Sequence, residues 1–123
     1  MSISNQSTAI LVVEDEALIL VATAGDLRDA GFIVFEASNA DDAIALLEAH
    51  PEIRMLFTDV DMPGSMDGLK LSVAVRNRWP PTRIIVTSGK TLVGRSELPA
   101  GGRFLPKPYS TTRVVSAIQE MLA

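Results

Sequence analysis

The chain has 123 residues, a formal net charge of −4, 47% apolar residues and 21% charged residues, which predicts one globular domain. The acidic charge argues against direct nucleic-acid binding, and the absence of cysteine excludes disulfides, thiolate metal sites and a cysteine nucleophile. No apolar run approaches the roughly 20 residues that span a bilayer, so we expect no membrane insertion and a cytoplasmic protein. We expect a flexible N-terminal segment over residues 1–8 and one domain over residues 9–123.

The charge is unevenly distributed along the chain. Residues 1–67 carry two basic and thirteen acidic side chains, which gives −11, whereas residues 68–123 carry nine basic and two acidic side chains, which gives +7. If the chain forms a single domain, one core must unite these two halves.

The first half of the chain alternates strand and helix patterns. An apolar run without polar alternation predicts a buried parallel strand at 9–13. Leu18, Val21, Ala22 and Leu27 then recur at roughly helical spacing, which predicts a helix from Ala17 to Ala30 with these side chains on roughly one side. A strand at 32–35 and a helix to Ala49, capped by Ser38 or Asn39, complete this half.

The second half repeats the alternation. We predict strands at 55–58, 83–87 and 104–105, a helix from the N-cap Asp67 to about Arg78, and a last helix after the N-cap Ser110. Pro99, Gly101 and Gly102 interrupt the segment 90–102, which can form one or two helical turns at most. Repeated strand and helix units predict a parallel sheet with helices on both faces.

Polar side chains follow the predicted strands at the edge where such sheets bind ligands. They are the acidic pair Glu14 and Asp15, then Asp59, then the hydroxyls of Thr87 and Ser88, and finally Lys107. Three converging carboxylates repel one another unless a cation neutralises them, and an all-oxygen donor set suits Mg²⁺. A carboxylate beside Mg²⁺ and a lysine is equipped to attack a phosphoryl group and form an aspartyl phosphate.

From Ala9 to Leu122 the chain resembles the receiver domain of two-component response regulators. The motifs that carry the resemblance lie in order at the ends of four strands: Val12-Val13-Glu14-Asp15-Glu16, Thr58-Asp59-Val60-Asp61-Met62-Pro63-Gly64 with Asp67-Gly68, Thr87-Ser88-Gly89, and Phe104-Leu105-Pro106-Lys107-Pro108. The resemblance implies a flavodoxin-like, doubly wound five-stranded parallel sheet in the strand order 2-1-3-4-5.

The resemblance also implies roles for the acidic residues. Asp59 corresponds to the phosphoacceptor and Asp15 to the direct Mg²⁺ ligand, while Glu14 acts through a metal-bound water. Asp61 offers its backbone carbonyl to the metal.

Further implied roles concern the lysine and the switch residues. Lys107 binds a phosphoryl oxygen, and a cis peptide bond precedes Pro108. The switch hydroxyl belongs to Thr87 or Ser88, and we favour Ser88 because the small residue Gly89 follows it. Phe104 corresponds to the aromatic residue that moves inward on activation.

One departure from the family pattern affects the expected output surface. Where the family has a fourth helix, this chain has the interrupted segment 90–102, so we expect a fourth helix that is short or absent. The partners of typical members therefore cannot be transferred to this chain.

Three functions compete at this point. The first is a phosphoacceptor switch that takes a phosphoryl group from a sensor histidine kinase or a histidine phosphotransfer protein, then acts on an unknown downstream protein; such a switch is not a turnover enzyme. The second is a haloacid-dehalogenase-like phosphatase, since Asp59 and Asp61 form a D-x-D motif after an apolar strand. The third is a pseudo-receiver that binds partners without phosphorylation.

Overall fold

The strands form a single parallel sheet. A computed structural model describes residues 8–90 and 92–123. Within these ranges the strands are β1 (Ala9–Val13), β2 (Ile33–Ala37), β3 (Ile53–Asp59), β4 (Arg83–Ser88) and β5 (Arg103–Pro106). They pair in the order β2-β1-β3-β4-β5, which confirms the predicted strand order.

Four α-helices flank the sheet in the described part of the chain: α1 (Ala17–Asp29), α2 (Ala40–Ala49), α3 (Gly68–Arg78) and α4 (Thr111–Leu122). At the N-termini of α2, α3 and α4, the side chains of Asn39, Asp67 and Ser110 accept a hydrogen bond from the backbone N–H three residues later. These bonds satisfy donors that a helix start leaves unpaired. The caps at Asp67 and Ser110 are confirmed, and Asn39 rather than Ser38 caps α2.

The sheet separates two apolar layers because successive side chains of a strand point to opposite faces. Leu11 and Val13 of β1 face the layer that α2 and α3 cover. Ile10 and Val12 face the layer that α1 and α4 cover. The central strands are therefore apolar on both faces, as the uninterrupted run of β1 predicts.

The apolar residues that the sequence places on roughly one side of α1 are not all buried. The helix buries Leu20, Ala24 and Leu27, while Leu18 is 87% exposed and Val21 is 65% exposed. Because α1 is apolar around much of its circumference, its sequence does not distinguish the side that packs on the sheet from the side that faces solvent.

The segment between β4 and β5 lacks an α-helix over its described residues, as predicted. It contains one 3-10 turn at Arg95–Glu97, followed by a tight turn in which Gly102 N–H donates to the carbonyl of Pro99. Gly101 has φ +76°, a conformation that glycine adopts without steric cost. The segment therefore passes from β4 to β5 without covering the sheet edge with a helix.

The N-terminal prediction lies mostly outside the described residues, which begin at Thr8. Thr8 is buried, and its carbonyl accepts a hydrogen bond from Ile33 N–H. None of the described helices has the length and apolar character needed to cross a membrane.

Candidate functional site

Three carboxylates meet at the carboxyl edge of the sheet. Glu14 and Asp15 follow β1, and Asp59 is the last residue of the neighbouring strand β3. Each offers an oxygen atom, and these three oxygens lie within 4.8 Å of one another. Glu14 and Asp59 are buried, while Asp15 is exposed. The parallel pairing of β1 with β3 thus assembles acids that are 44 residues apart in the sequence.

Lys107 brings a positive charge into this cluster. Its Nζ lies 2.7 Å from Glu14 Oε1 and 3.5 Å from Asp59 Oδ2. Its backbone N–H donates to the carbonyl of Ser88 over 3.0 Å, which fixes the end of β5 against β4. The peptide bond between Lys107 and Pro108 is cis, as the resemblance implied.

The surroundings of Asp59 disfavour its ionised form. Burial, and secondarily the negative charge of Glu14, raise the pKa of Asp59 to about 6, although the ammonium of Lys107 opposes this shift. Partial desolvation and the nearby Glu14 also raise the pKa of Asp15. For Lys107, burial lowers the pKa, but the carboxylates of Glu14 and Asp59 outweigh it and the net shift is upward. The single positive charge of Lys107 therefore does not balance the three carboxylates, and the cluster keeps an excess of negative charge.

The donor set fits a hard divalent cation. Glu14, Asp15 and Asp59 offer only carboxylate oxygens, which Mg²⁺ prefers, and a cation would relieve the repulsion that raises the pKa of Asp59. Glu14 also holds the start of α1, because its Oε2 accepts a hydrogen bond from Glu16 N–H. The three predicted carboxylate ligands are thus close together.

Asp61 and Ser88 contact each other beside this cluster. Ser88 Oγ donates a hydrogen bond to Asp61 Oδ2 over 2.5 Å, and Lys90 N–H donates to the same Oγ over 3.2 Å. The backbone N–H of Asp61 donates to Asp59 Oδ1 over 3.3 Å. The carboxylate of Asp61 therefore engages the serine, and its predicted carbonyl role toward a metal stays a prediction.

Thr87 occupies a different position from Ser88. It pairs with Asp59 across the β3–β4 ladder, and its carbonyl accepts a hydrogen bond from Val60 N–H. Its Oγ1 is buried and has no hydrogen-bond partner among the described residues. Because strand side chains alternate, Thr87 and Ser88 point to opposite faces of the sheet. The hydroxyl that already contacts the acidic loop is that of Ser88, which favours Ser88 as the switch residue.

Phe104 lies on β5, away from the carboxylates. It pairs with Val86 of β4 and packs, half-buried, against the layer that contains Ile84 and Val86. Alternation places Ser88 on this same face of the sheet. The side chain of Phe104 also lines a cavity of about 670 Å³ beside the segment 92–102.

Gly68 is a site residue to which sequence reasoning gave no role. Its N–H donates to the carbonyl of Val60, and a Cβ atom placed on it would lie 1.9 Å from the carbonyl oxygen of Asp59. The start of α3 therefore packs directly on the backbone of Asp59. In the sequence, the Asp67-Gly68 pair at a predicted helix start could have identified this position, because glycine permits the close approach of two backbones.

Comparisons with known proteins agree with this geometry. The model of the "Response regulator receiver domain" family matches residues 10–119. Among solved structures, the receiver domain of the hybrid histidine kinase CckA is 30% identical with a TM-score of 0.81, covering 94% of this chain and 99% of that one. A response regulator receiver protein from Sinorhizobium medicae is 27% identical with a TM-score of 0.87, covering 97% of each chain.

Curated relatives are longer than this chain. The sensor kinase CckA of Brucella abortus is 33% identical over 121 residues, which cover 94% of this chain and 13% of that protein. The transcriptional regulatory protein PdtaR of Mycobacterium tuberculosis is 32% identical over 114 residues, which cover 89% of this chain and 54% of that protein. Family match, strand order and the cluster at the sheet edge agree, and the chain belongs to the response regulator receiver domain family.

Proposed function

We propose that Asp59 accepts a phosphoryl group from a phosphohistidine of a sensor histidine kinase or a histidine phosphotransfer protein. A carboxylate oxygen of Asp59 forms the new bond to phosphorus, the bond from phosphorus to the histidine nitrogen breaks, and the imidazole leaves with its electron pair. The observation that carries the proposal is the position of Asp59, buried beside Lys107 and two further carboxylates at the ligand-binding edge of the sheet.

Glu14, Asp15 and Asp59 are the residues that would hold Mg²⁺. When bound, the ion supplies positive charge that offsets the repulsion between these carboxylates and an incoming phosphoryl group. Lys107 supplies a further positive charge, because its ammonium lies within 3.5 Å of Asp59 Oδ2 and can bind a phosphoryl oxygen. Together these residues orient the group and stabilise its charge, which is the main contribution that a protein makes to phosphoryl transfer.

The surface beside the site offers the phosphohistidine protein a place to dock. A groove of about 630 Å³ lies between α1 and the segment after β5, and its lining includes Leu18, Ile19, Lys107 and Pro108. Leu18 is 87% exposed, although an apolar side chain of this size gains free energy when it is buried. Contact at this groove would bring the donor histidine to the edge that carries Asp59.

Ser88 and Phe104 are the residues through which phosphorylation would change the surface. A phosphoryl oxygen near Asp59 competes with Asp61 for the single proton of the Ser88 hydroxyl. Movement of Ser88 toward Asp59 would open space on the face of the sheet where Phe104 packs. The resulting change at Phe104 would alter binding to a downstream protein.

Mass spectrometry tests this function directly. The protein is incubated with Mg²⁺ and a small phosphodonor such as acetyl phosphate, and then with a phosphorylated histidine kinase. We expect a mass gain of one phosphoryl group for the wild type and for Asp67→Asn, a matched change in the same loop, and none for Asp59→Asn.

Two results would overturn the proposal. Sustained turnover of a generic phosphomonoester would indicate a phosphatase of the D-x-D type instead. Absence of any modification of Asp59 with both donors, while Mg²⁺ is bound, would indicate a binding module that works without phosphorylation.

A further inference from the structure

Tyr109 attaches the chain just after Lys107 to two other elements of the fold. Its hydroxyl and the hydroxyl of Thr23 on α1 form a hydrogen bond of 3.1 Å. Its ring stands edge-on to the ring of Phe57 on β3, with ring centroids 5.4 Å apart, a favourable geometry for an aromatic pair. Thr23 is 7% exposed and Phe57 is 1% exposed, so both contacts are made to buried groups that packing holds in place.

These two contacts lead to the partners of the lysine ammonium. Asp59 lies two residues after Phe57 and on the same face of β3, because strand side chains alternate, and its Oδ2 is 3.5 Å from Lys107 Nζ. Glu14, whose Oε1 is 2.7 Å from Nζ, directly precedes the start of α1, the helix that the Tyr109 hydroxyl contacts. Tyr109 therefore touches both elements that are continuous with the partners of Lys107.

The main chain around Lys107 needs an anchor on its C-terminal side. On the N-terminal side, the Lys107 N–H donates to the carbonyl of Ser88 over 3.0 Å. The next residue, Pro108, is exposed and has no N–H to donate. Tyr109 follows it and packs against the apolar layer under α1 and α4. The side chain of Tyr109 is therefore the anchor that lies nearest to the lysine on this side.

The lysine stem itself is weakly confined. A lysine side chain has four flexible carbons, so its ammonium is only as well placed as the backbone that carries it. Gly89 lies beside the stem, since a Cβ on Gly89 would be 3.5 Å from Lys107 Cβ and 3.7 Å from its Cδ. Glycine offers no side chain to hold the stem. The position of the ammonium thus depends on the main chain at Lys107.

We infer that Tyr109 is a positioning residue that holds the ammonium of Lys107 beside Asp59. Burial raises the pKa of Tyr109 above its ordinary value of 10.0, so the phenol keeps its proton at neutral pH and acts by geometry and not by charge. The consequence for phosphoryl binding rests on the proposed function, in which Lys107 binds a phosphoryl oxygen. The position of the ammonium in the unmodified protein can be measured without it.

A second bond between α1 and α4 provides a matched control. Thr111 Oγ1 donates to Asp26 Oδ2 over 2.7 Å, which joins the first residue of α4 to α1. Thr111 lies four residues after Lys107, beyond the anchor that Tyr109 supplies. Thr111→Val should therefore loosen α4 on α1 and leave the main chain at Lys107 in place.

Side-chain NMR of the unmodified, metal-free protein tests the inference. The nitrogen and Cε shifts of the Lys107 ammonium, assigned with Lys107→Ala, report its contact with Glu14. We expect these shifts to change in Tyr109→Phe and in Thr23→Val, which each remove one hydroxyl of the bond. They should match the wild type in Thr23→Ser, which keeps the hydroxyl, and in Thr111→Val. Thermal melts confirm that every variant is folded.

Binding of beryllofluoride, a phosphoryl mimic, shows what the position of Lys107 does for the site. We expect Tyr109→Phe to weaken beryllofluoride about fivefold in the presence of Mg²⁺, as loss of a well-placed charged hydrogen bond does. Its affinity for Mg²⁺ alone should stay within about twofold of the wild type, since the carboxylates supply the donor oxygens. A general loss of stability would not separate these two affinities. In a Lys107→Ala background, Tyr109→Phe should have no further effect on beryllofluoride.

Three outcomes would overturn the inference: Lys107 shifts that are unchanged in Tyr109→Phe, equal changes in Thr111→Val, or an undiminished effect of Tyr109→Phe in the Lys107→Ala background. Failure of the proposed function has a different signature. In that case the wild type binds no beryllofluoride, while the Lys107 shifts still respond to Tyr109→Phe and not to Thr111→Val, which supports the inference about position.

Discussion

The hydroxyl of Ser88 donates to Asp61 over 2.5 Å, so the carboxylate two residues after the proposed phosphoacceptor Asp59 holds the hydroxyl that we propose as the switch. A serine hydroxyl has one proton to donate. Because that proton is directed at Asp61, it is unavailable to a phosphoryl oxygen on Asp59 until the Ser88–Asp61 bond breaks. Under the proposed function, Asp61 therefore stabilises the unmodified state.

Removal of this carboxylate should favour the activated state. We predict that Asp61→Ala binds beryllofluoride, a phosphoryl mimic, about fivefold more tightly in the presence of Mg²⁺, which corresponds to about 1 kcal/mol for one lost competing hydrogen bond. Affinity is measured by NMR titration of backbone amides.

A double-mutant cycle separates competition for the hydroxyl from simple removal of negative charge. In a Ser88→Ala background the competing hydrogen bond no longer exists, so Asp61→Ala should have a clearly smaller effect than in the wild type. An equal effect in both backgrounds would show that the charge of Asp61 acts without Ser88.

The raised pKa of Asp59 predicts a stability effect that depends on pH. Its pKa is about 6 in the folded protein and 3.8 in the ordinary case, so the folded state favours the protonated carboxyl. The contribution of the Asp59 carboxyl to the free energy of unfolding is fully present below pH 3.8 and is lost as the pH rises through 6. At neutral pH, without metal, the ionised Asp59 therefore destabilises the fold.

Replacement of Asp59 by a neutral isostere should remove this cost. We predict that Asp59→Asn is about 1–3 kcal/mol more stable than wild type at pH 7.5 in EDTA. The difference should shrink as the pH falls from 6 toward 4. Urea unfolding at both ends of the range measures it, with Asp41→Asn on the exposed start of α2 as the control. A wild type that is more stable than Asp59→Asn at pH 7.5 would contradict the assignment.

Sequence patterns predict the fold and the composition of the site for identifiable physical reasons. The apolar run of β1 is buried on both faces, and the order of the strand ends places Glu14, Asp59 and Lys107 at one edge. The buried face of α1 could not be predicted in the same way, because Leu18 is as apolar as Leu20 and only the tertiary packing separates them.

Contacts between side chains of different loops and strand ends could not be predicted from the sequence either. The bond between Ser88 and Asp61 joins residues that are 27 positions apart, and it depends on how the loop after β3 folds back toward β4. Spacing along the chain does not encode this arrangement.

The carboxylate cluster predicts stabilisation by Mg²⁺. A ligand that binds the folded state alone adds about 2.7 kcal/mol at a concentration one hundred times its Kd. We predict that Mg²⁺ raises the melting temperature of the wild type and that Asp15→Asn loses most of this increase. Glu16→Gln makes the same charge change at the next exposed residue and should retain it. Equal increases for the two variants would exclude Asp15 as a ligand.

The approach of Gly68 to Asp59 gives a prediction about stability and site geometry together. A Cβ at position 68 would lie 1.9 Å from the Asp59 carbonyl oxygen and 2.9 Å from the Val60 Cα, and neither backbone atom can rotate away. Alanine must therefore displace α3 or the end of β3. We predict that Gly68→Ala destabilises the protein by about 1–3 kcal/mol, as forced overpacking does, and slows phosphorylation of Asp59.

Gly25 provides a control for this prediction because it also lies in a helix. A Cβ on Gly25 has no atom within 4 Å, so Gly25→Ala should stabilise the protein by about 0.5–1 kcal/mol through the higher helix propensity of alanine. Urea unfolding and a phosphorylation time course on both variants measure the two effects. If Gly68→Ala matches Gly25→Ala in both, the end of β3 yields to a methyl group, and the position of Asp59 does not depend on contact with α3.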